Sequence, residues 1–273
     1  MGLNNSFFSE NFEDQKLKIE TITFGNSSVS FCAERGGLII SIKLNGTEIL
    51  YLNEETFCDL SKNVRGGIPV MFPNAGPLED EKQKVLGYNL KQHGFARNLS
   101  WESRIIGENK FVMTLKSSEK TKEIFDFDFI FEIECELQEK SIKINQKVQN
   151  TGNKPLPVSS GLHPYFKVKT EDKKQIEFLL NWNNKVETDF ESRSIGGTDS
   201  INNPGSFQVF MPGIGKLQFA YSGLYKKVWI RSEEGKDFVC IEPVMNNKGG
   251  LIDNPQIIKP GENLVLENSI SLI

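Results

Sequence analysis

Residues 125–137 read FDFDFIFEIECEL, and this stretch decides the fold class. Every odd position from Phe125 to Leu137 is apolar, and every even position except Ile130 carries Asp or Glu. A repeat of two residues is the period at which side chains alternate between the two faces of a strand, whereas a helix repeats every 3.6 residues. The pattern therefore predicts a long, half-buried strand over residues 125–137.

Three turn sequences, each lying between two strand-like segments, predict hairpins and therefore antiparallel sheets. Residues 138–141 form a turn before SIKINQKVQN, in which Ile142, Ile144 and Val148 resume the alternation. Asn45-Gly46 separates LIISIKL from TEILYL, and Asn-Gly tolerates the positive φ angles of tight hairpin turns. Residues 107–109 separate WESRII from KFVMTL in the same way. We predict three hairpins.

The remaining short apolar segments also have the composition of strands. No window of about 12 residues has an amphipathic helical pattern with caps. We expect an all-β chain with large antiparallel sheets, forming a single domain over residues 1–273, with residues 1–16 as a loosely ordered N-terminal segment. The further strand candidates are KLKIETITF, VSFCAE, IEFLLNW, KLQFAY, KVWIRS, DFVCIEP and NLVLENSISLI.

Composition excludes several classes of function. The net charge of −4 and the lack of a Lys/Arg cluster with interleaved aromatic residues argue against nucleic acid as a partner. The two histidines and four well-separated cysteines form no zinc motif, so we expect no metal and no cofactor. The chain has no secretory signal and no apolar stretch of about 18 residues, which predicts a cytoplasmic protein with reduced thiols and no membrane partner.

Both histidines lie in segments rich in Gly and Pro, where a rigid loop can position polar groups for a ligand. The segments are NVRGGIPVMFPNAGPL at 63–78, LKQHGFARNLSWE at 90–102 and SSGLHPYF at 159–166. Arg65 precedes Gly66-Gly67, where its guanidinium could make a bidentate contact with an anion. An ordinary salt bridge is an equally good interpretation of Arg65 and Arg97 from these residues alone.

Glu242 is conspicuous through its place in the strand candidate DFVCIEP. It shares a face with Phe238 and Cys240, two residues that prefer burial. Burial of a carboxylate raises its proton affinity and suits it to work as a general base near neutral pH. The position of Glu242 in the strand is also consistent with a solvated strand end, where the carboxylate would have no functional role.

Four motifs in order, RGGIPVMFPNAGP, QHGFARNLSWE, SSGLHPYF and FVCIEPV, resemble those of the galactose-mutarotase-like family of aldose 1-epimerases. The resemblance covers about residues 20 to 273 and is greatest to the branch of hexose-6-phosphate (glucose-6-phosphate) mutarotases. It implies a β-supersandwich, and it implies a mutarotase that interconverts the α and β anomers of a hexose, with a sugar or sugar phosphate as its small-molecule partner.

The resemblance also implies roles for individual residues. His163 matches the family's general acid and Glu242 its general base, and His93, preceded by Gln92, matches a second histidine that contacts the sugar. Arg65 and Arg97 resemble basic residues that recognise phosphate. Two positions depart from the family pattern. Lys91 stands where many members have proline. Asp199 corresponds to a substrate-binding aspartate, but the sequence around it differs from the pattern that is usual in the family.

The implied mechanism needs a base for the anomeric hydroxyl and an acid for the ring oxygen, which we expect on opposite sides of the sugar. Phe72, Trp101 or Tyr165 could supply an apolar wall for the ring. Two alternatives stay open at this stage. One is a sugar-phosphate sensor without turnover, which would not need His163 and Glu242 together. The other is a free-aldose mutarotase, in which the arginines have no phosphate partner.

Overall fold

A computed structural model describes residues 17–180, 184–186 and 198–273 of the chain. The N-terminal segment 1–16, predicted to be loosely ordered, and the end of the strand candidate IEFLLNW lie outside these residues. Strands and short helices follow one another along the chain. The strands are β1 Glu20–Phe24, β2 Ser27–Cys32, β3 Leu38–Leu44, β4 Thr47–Glu48, β5 Val70–Met71, β6 Glu102–Ile106, β7 Lys110–Lys116, β8 Phe129–Leu137, β9 Ser141–Asn150, β10 Leu156–Val158, β11 Gly161–Leu162, β12 Tyr165–Lys167, β13 Glu177–Leu180, β14 Asn184–Val186, β15 Thr198–Asn202, β16 Ser206–Met211, β17 Gly215–Tyr221, β18 Lys227–Ser232, β19 Phe238–Val244, β20 Gln256–Ile258, β21 Asn263–Leu266 and β22 Asn268–Leu272.

The helices are short, as the missing amphipathic pattern predicts. Within the described ranges the longest α-helix has six residues. The α-helices are α1 Glu54–Cys58, α2 Asp80–Val85, α3 Glu119–Lys122 and α4 Gly250–Asp253, and 3-10 turns cover Ala33–Arg35, Ala96–Asn98 and Thr170–Gln175. No described helix has the length and apolar character needed to cross a membrane.

Antiparallel pairing joins the strands into sheets, which confirms the predicted all-β class. The largest sheet has the order β14-β13-β16-β17-β22-β9-β8-β7-β6, with β21 also paired to β9. A six-stranded sheet has the order β15-β18-β19-β11-β5, with β12 also paired to β19. A four-stranded sheet, β1-β2-β3-β4, and the pair β10-β20 complete the set found in the part of the chain that the structure describes.

The stretch at 125–137 supplies β8, which lies between β7 and β9 in the large sheet, but the strand is shorter than predicted. The apolar residues of β8 are buried and alternate with half-buried acidic ones. The strand begins at Phe129 rather than Phe125, because the backbone N–H of Phe125 donates to the carbonyl of Thr121 and completes the turn that follows α3. β8 then pairs with β9 through the predicted hairpin.

The two other predicted hairpins are also present. Leu44 pairs with Thr47, and Asn45 and Gly46 have φ angles of 47° and 82°, the left-handed conformation that a tight primed turn requires. Ile106 pairs with Lys110 across the 107–109 turn. The segment FVCIEPV forms β19, whose residues are all buried, so this strand is covered on both faces. Val239 and Ile241 join the main hydrophobic cluster, which leaves the opposite face of β19 for the candidate site.

Candidate active site

His163 and Glu242 face each other across two neighbouring strand segments. Gly161 of β11 pairs with Val244, and Tyr165 of β12 pairs with Cys240, in one continuous antiparallel register. His163-Pro164 interrupts the pairing because proline has no N–H to donate, yet the register places His163 directly opposite Glu242. Cross-strand neighbours lie on the same face of a sheet, so both side chains project from the same face.

The two side chains are in direct contact. Nε2 of His163 lies 3.3 Å from Oε1 of Glu242, and the side chains are 7% and 2% exposed. Burial raises the pKa of Glu242 to about 8, against the opposing effect of Arg231 and Lys248. Burial, with His93 as the next cause, holds the pKa of His163 well below its usual value. Desolvation therefore favours the neutral form of both groups, and the pair holds one proton near neutral pH.

This contact corrects the expectation that acid and base flank the sugar. The predicted groups lie side by side on one face of the sheet, rather than across a cavity. The arrangement is chemically sufficient, because the anomeric oxygen O1 and the ring oxygen O5 are both bonded to C1. One face of a hexose can thus present both oxygens to the pair.

Neighbouring positions on the same face supply the walls of the site. Tyr165 stacks on His163, with ring centroids 4.7 Å apart. Trp229 of β18 pairs with Glu242 on its other side and is buried with Met71, Ala75 and Val244. Of the three predicted wall residues, Tyr165 touches the pair. Phe72 and Trp101 instead pack on Phe131 in the main core.

A tight loop places His93 beside the pair. His93 has a φ of 67° and precedes Gly94, whose φ is 68°. A side chain at position 94 would begin 2.0 Å from the carbonyl oxygen of Phe72, so only glycine fits there. The His93 and His163 rings meet edge to face at 5.6 Å. The loop thus brings both histidines of the chain into one site.

The protonation of His93 follows from its backbone partner. The N–H of Gly76 donates to Nδ1 of His93 over 3.0 Å, so Nδ1 is an acceptor and the ring hydrogen resides on Nε2. Burial, followed by the positive charges of Arg97, Arg231 and Lys248, lowers the pKa of His93 to about 3. His93 is therefore a neutral hydrogen-bond donor through Nε2 at neutral pH.

Gln92 and Asn74 hold this arrangement from two sides. The amide nitrogen of Gln92 lies 3.1 Å from Nε2 of His93. Because Nε2 carries a hydrogen, we assign the amide in the flipped orientation, in which its oxygen is the acceptor. Asn74 is fully buried and donates to the carbonyl of Gly76 over 2.8 Å, and the N–H of His93 donates to the same carbonyl. Asn74 is a positioning residue that the sequence analysis missed.

A group of basic side chains lies next to Tyr165. Arg65 is half-exposed, interacts with Tyr165 and forms an ion pair with Glu233 over 2.6 Å. Arg231, opposite Cys240 in the register, reaches the same carboxylate oxygen of Glu233 over 2.7 Å. Arg97 donates to the carbonyl of Gln92 over 3.0 Å. Its buried Nε finds no hydrogen-bond partner in the part of the chain that the structure describes.

The structure does not bring two of the predicted residues to the pair. Asp199 of β15 pairs with Ile230, on the face of the sheet opposite to Glu242, and it is Ser200 that aligns with Trp229 and Glu242. Lys91 is exposed, and its carbonyl accepts the N–H of Gly94. Roles for Asp199 and Lys91 stay predictions.

Four further residues at the site lie outside the sequence motifs: Trp229, Arg231, Glu233 and Lys248. A usable signal was present for two of them. The strand candidates KVWIRS and DFVCIEP are separated by only four residues, which is typical of a hairpin. Pairing them would have placed Trp229 and Arg231 beside Glu242 and Cys240.

Comparison with known proteins agrees with this fold. A family model described as aldose 1-epimerase matches residues 19–204. A relative from Cenchrus ciliaris, provisionally named glucose-6-phosphate 1-epimerase, is 24% identical over 279 residues, covering 85% of this chain and 78% of that protein. A relative from Salmonella typhimurium with the same provisional name is 30% identical over 141 residues, covering 50% of this chain and 44% of that protein.

Solved structures share the architecture over nearly the whole chain. A protein from Synechocystis sp. PCC 6803 superimposes with a TM-score of 0.79 at 25% identity, covering 94% of this chain and 96% of that one. A galactose mutarotase related enzyme from Lactobacillus acidophilus superimposes with a TM-score of 0.73 at 19% identity, covering 93% and 97%. The fold is thus the galactose mutarotase-like one that the resemblance implied. Together with the matched family model, these findings establish that the chain belongs to the aldose 1-epimerase family of isomerases.

Proposed function

We propose that this enzyme interconverts the α and β anomers of a hexose 6-phosphate, with Glu242 as general base and His163 as general acid. The observation that carries the proposal is the buried contact of 3.3 Å between the two side chains. Two titratable groups of different kinds, buried and in contact with each other, are typical of a site for proton transfer.

The chemistry follows from this contact. Glu242 takes the proton from the O1 hydroxyl while the C1–O5 bond breaks, and O5 receives a proton from His163. The carbonyl that forms at C1 is free to turn about the C1–C2 bond. Ring closure reverses both transfers, with His163 taking the proton from O5 and Glu242 returning one to O1. Each positioned group of this type contributes about 10²–10⁴-fold to the rate.

The His163–Glu242 pair holds one proton near neutral pH, which is the number that the reaction needs. The step begins with an ionised Glu242 and a protonated His163, whereas burial favours both groups in the neutral form. The two forms hold the same single proton and differ only in which side chain carries it. A shift of that proton across the contact makes the pair ready, and none has to come from solvent.

His93 supplies orientation in this scheme. Its Nε2–H is a fixed donor beside His163, suited to a hydroxyl or ring oxygen of the sugar. Gln92 can accept from Nε2 when no sugar is bound and release it when one enters. A neutral donor binds the sugar without placing a second positive charge next to His163.

The basic side chains support a phosphorylated substrate over a free one. Arg65, Arg97 and Arg231 lie close to Tyr165, which itself stacks on His163, so an anion here would be held at one end of a ring bound at the pair. Arginine forks match phosphate oxygens in a bidentate geometry. The provisional names of the Cenchrus ciliaris and Salmonella typhimurium relatives point to the same substrate class. We retain the predicted cytoplasmic location as part of the proposal.

Anomerisation rates measured in parallel on glucose 6-phosphate, galactose 6-phosphate, glucose and galactose test the proposal. We expect acceleration of at least one hexose 6-phosphate, with kcat/KM above that for the corresponding free sugar. Equal rates on free and phosphorylated sugars would favour a free-aldose mutarotase. Binding without acceleration of any of the four would favour a sensor and overturn the proposal.

A further inference from the structure

Cys240 is a third potential ligand atom beside the His163–Glu242 pair. The thiol of Cys240, a nitrogen of His163 and a carboxylate oxygen of Glu242 all lie within 4.8 Å of one another, and all three residues are buried. The proposed mechanism uses two of these groups and leaves Cys240 without a role. Thiolate, imidazole and carboxylate are the three ligand types from which proteins build zinc sites.

The sheet explains why these groups converge. Cys240 and Glu242 are two residues apart on β19 and so project from the same face, and His163 enters from the neighbouring segment opposite Glu242. Cys240 and Glu242 stand on paired backbone, and the backbone N–H of His163 donates to the carbonyl of Pro69. Such hydrogen-bonded backbone holds ligands more accurately than a loop does. The ligand atoms need move by only about 1 Å to surround an ion with bonds of roughly 2.0–2.3 Å.

The nearby positive charge does not block a cation. Arg231 lies opposite Cys240, but its guanidinium is turned to Glu233 over 2.7 Å. Cys240 and Glu242 each become anionic as they bind a metal, so together they offset the two charges of a divalent ion. Nδ1 of His163 is buried and finds no hydrogen-bond partner among residues 17–180, 184–186 and 198–273, so the ring is not anchored from that side.

We propose that His163, Cys240 and Glu242 form an inhibitory site for a thiophilic divalent cation such as Zn²⁺. Three protein ligands leave a fourth position open to water, as in many zinc sites. The metal takes the lone pair of the imidazole and the carboxylate oxygen, and so removes both the acid and the base of the proposed function, on which this inference rests. Sugar and metal then exclude each other.

The site is tested by binding first and by inhibition second. In titration calorimetry the whole protein should bind one Zn²⁺ ion, and Co²⁺ in its place should give the charge-transfer absorption of a cobalt–thiolate bond. Mg²⁺ should bind no more than weakly, because it prefers oxygen ligands. Zn²⁺ should inhibit anomerisation, and saturating sugar phosphate should raise the apparent inhibition constant.

Cys240→Ser should weaken Zn²⁺ binding at least about tenfold and abolish the cobalt–thiolate absorption. Cys58→Ser is the matched control, since Cys58 is an exposed thiol and should leave both readouts unchanged. Cys240→Ala is a second variant in case serine at this fully buried position impairs folding. A Co²⁺ complex of the wild-type protein without thiolate absorption would overturn the proposal, and so would a loss of binding in Cys58→Ser. Calorimetry and absorption need no turnover, so they decide the metal site even if no sugar is anomerised.

Discussion

His163 and Glu242 stand directly opposite each other on antiparallel segments, with Nε2 3.3 Å from Oε1 and both side chains more than nine-tenths buried. The backbone pairing brings the two side chains together, since the register of β11 and β12 against β19 is the same on both sides of His163-Pro164. A rigid sheet thus holds the pair that we propose to be catalytic, and the loops around it hold the proposed binding groups.

Replacement of either member of the pair should strongly reduce turnover without abolishing binding of the sugar phosphate. We expect His163→Gln and Glu242→Gln each to lower kcat by about 10²–10⁴-fold, because the amide cannot transfer a proton. Both replacements keep a polar side chain of similar size. Anomerisation followed by NMR saturation transfer, alongside calorimetric binding of the sugar phosphate, separates the two effects. Near-normal turnover in either variant would refute its assigned role.

The rate should depend on pH through the pair. Burial raises the pKa of Glu242 to about 8 and lowers the pKa of His163 below its usual value, so the pair carries one proton throughout the neutral range. Above about pH 8 that proton is lost, and no acid remains for O5. We therefore expect kcat/KM to be flat near neutrality and to fall above about pH 8. A fall centred near pH 6.5 would contradict the proton count.

Burial of Glu242 should cost stability as well. Its pKa rises from 4.5 in the unfolded chain to about 8, so the free energy of unfolding falls as pH rises through this interval. At about 1.36 kcal/mol per pKa unit the full cost is about 5 kcal/mol above pH 8. Glu242→Gln removes this cost, although its buried amide also needs partners.

Urea unfolding at about pH 5 and about pH 8.5 tests this. We expect Glu242→Gln to gain stability relative to the wild type as pH rises, by up to about 5 kcal/mol. Glu102→Gln, at an exposed glutamate of β6, is the control and should show no such gain. A stability difference between variant and wild type that is the same at both pH values would show that burial does not raise the pKa of Glu242.

Phosphate selectivity should reside in the arginines. We expect Arg65→Met to raise KM about tenfold for a hexose 6-phosphate and to leave the free hexose unchanged, because a half-exposed guanidinium contributes a modest charged hydrogen bond. Arg104→Met, at an exposed arginine of β6, is the matched control. An equal loss for both sugars would mean that Arg65 holds the structure through Glu233 and does not recognise phosphate.

The sequence alone predicts the sheets better than the site. Alternation in residues 129–137 and the turn at Asn45-Gly46 are local signals, and the structure confirms both. The strand begins at Phe129 rather than Phe125, because the backbone of Phe125 completes a helical turn with Thr121. The alternation before Phe129 therefore does not correspond to a strand. The pairing of His163 with Glu242 is non-local, and only the resemblance to a family joined them in advance.

Other parts of the site depend on register, which local patterns do not supply. Asp199 and Ser200 are adjacent in the chain, yet a shift of one residue decides which of them faces Glu242. Arg231 was missed because its place beside Cys240 requires β18 and β19 to be paired first. Phe72 and Trp101 were expected at the sugar, but aromatic residues next to motif positions serve equally well in a core.

His93 offers the most direct test, because the chain has only two histidines. The Gly76 N–H fixes Nδ1 as an acceptor, so ¹H–¹⁵N spectra of the imidazole nitrogens should show His93 as the neutral Nε2–H form. Since its pKa is lowered to about 3, its signals should not titrate between about pH 5 and about pH 9. His93→Gln identifies the resonances by their loss. Titration near pH 6.5 would show that His93 is open to solvent and would remove its role as a fixed donor to the sugar.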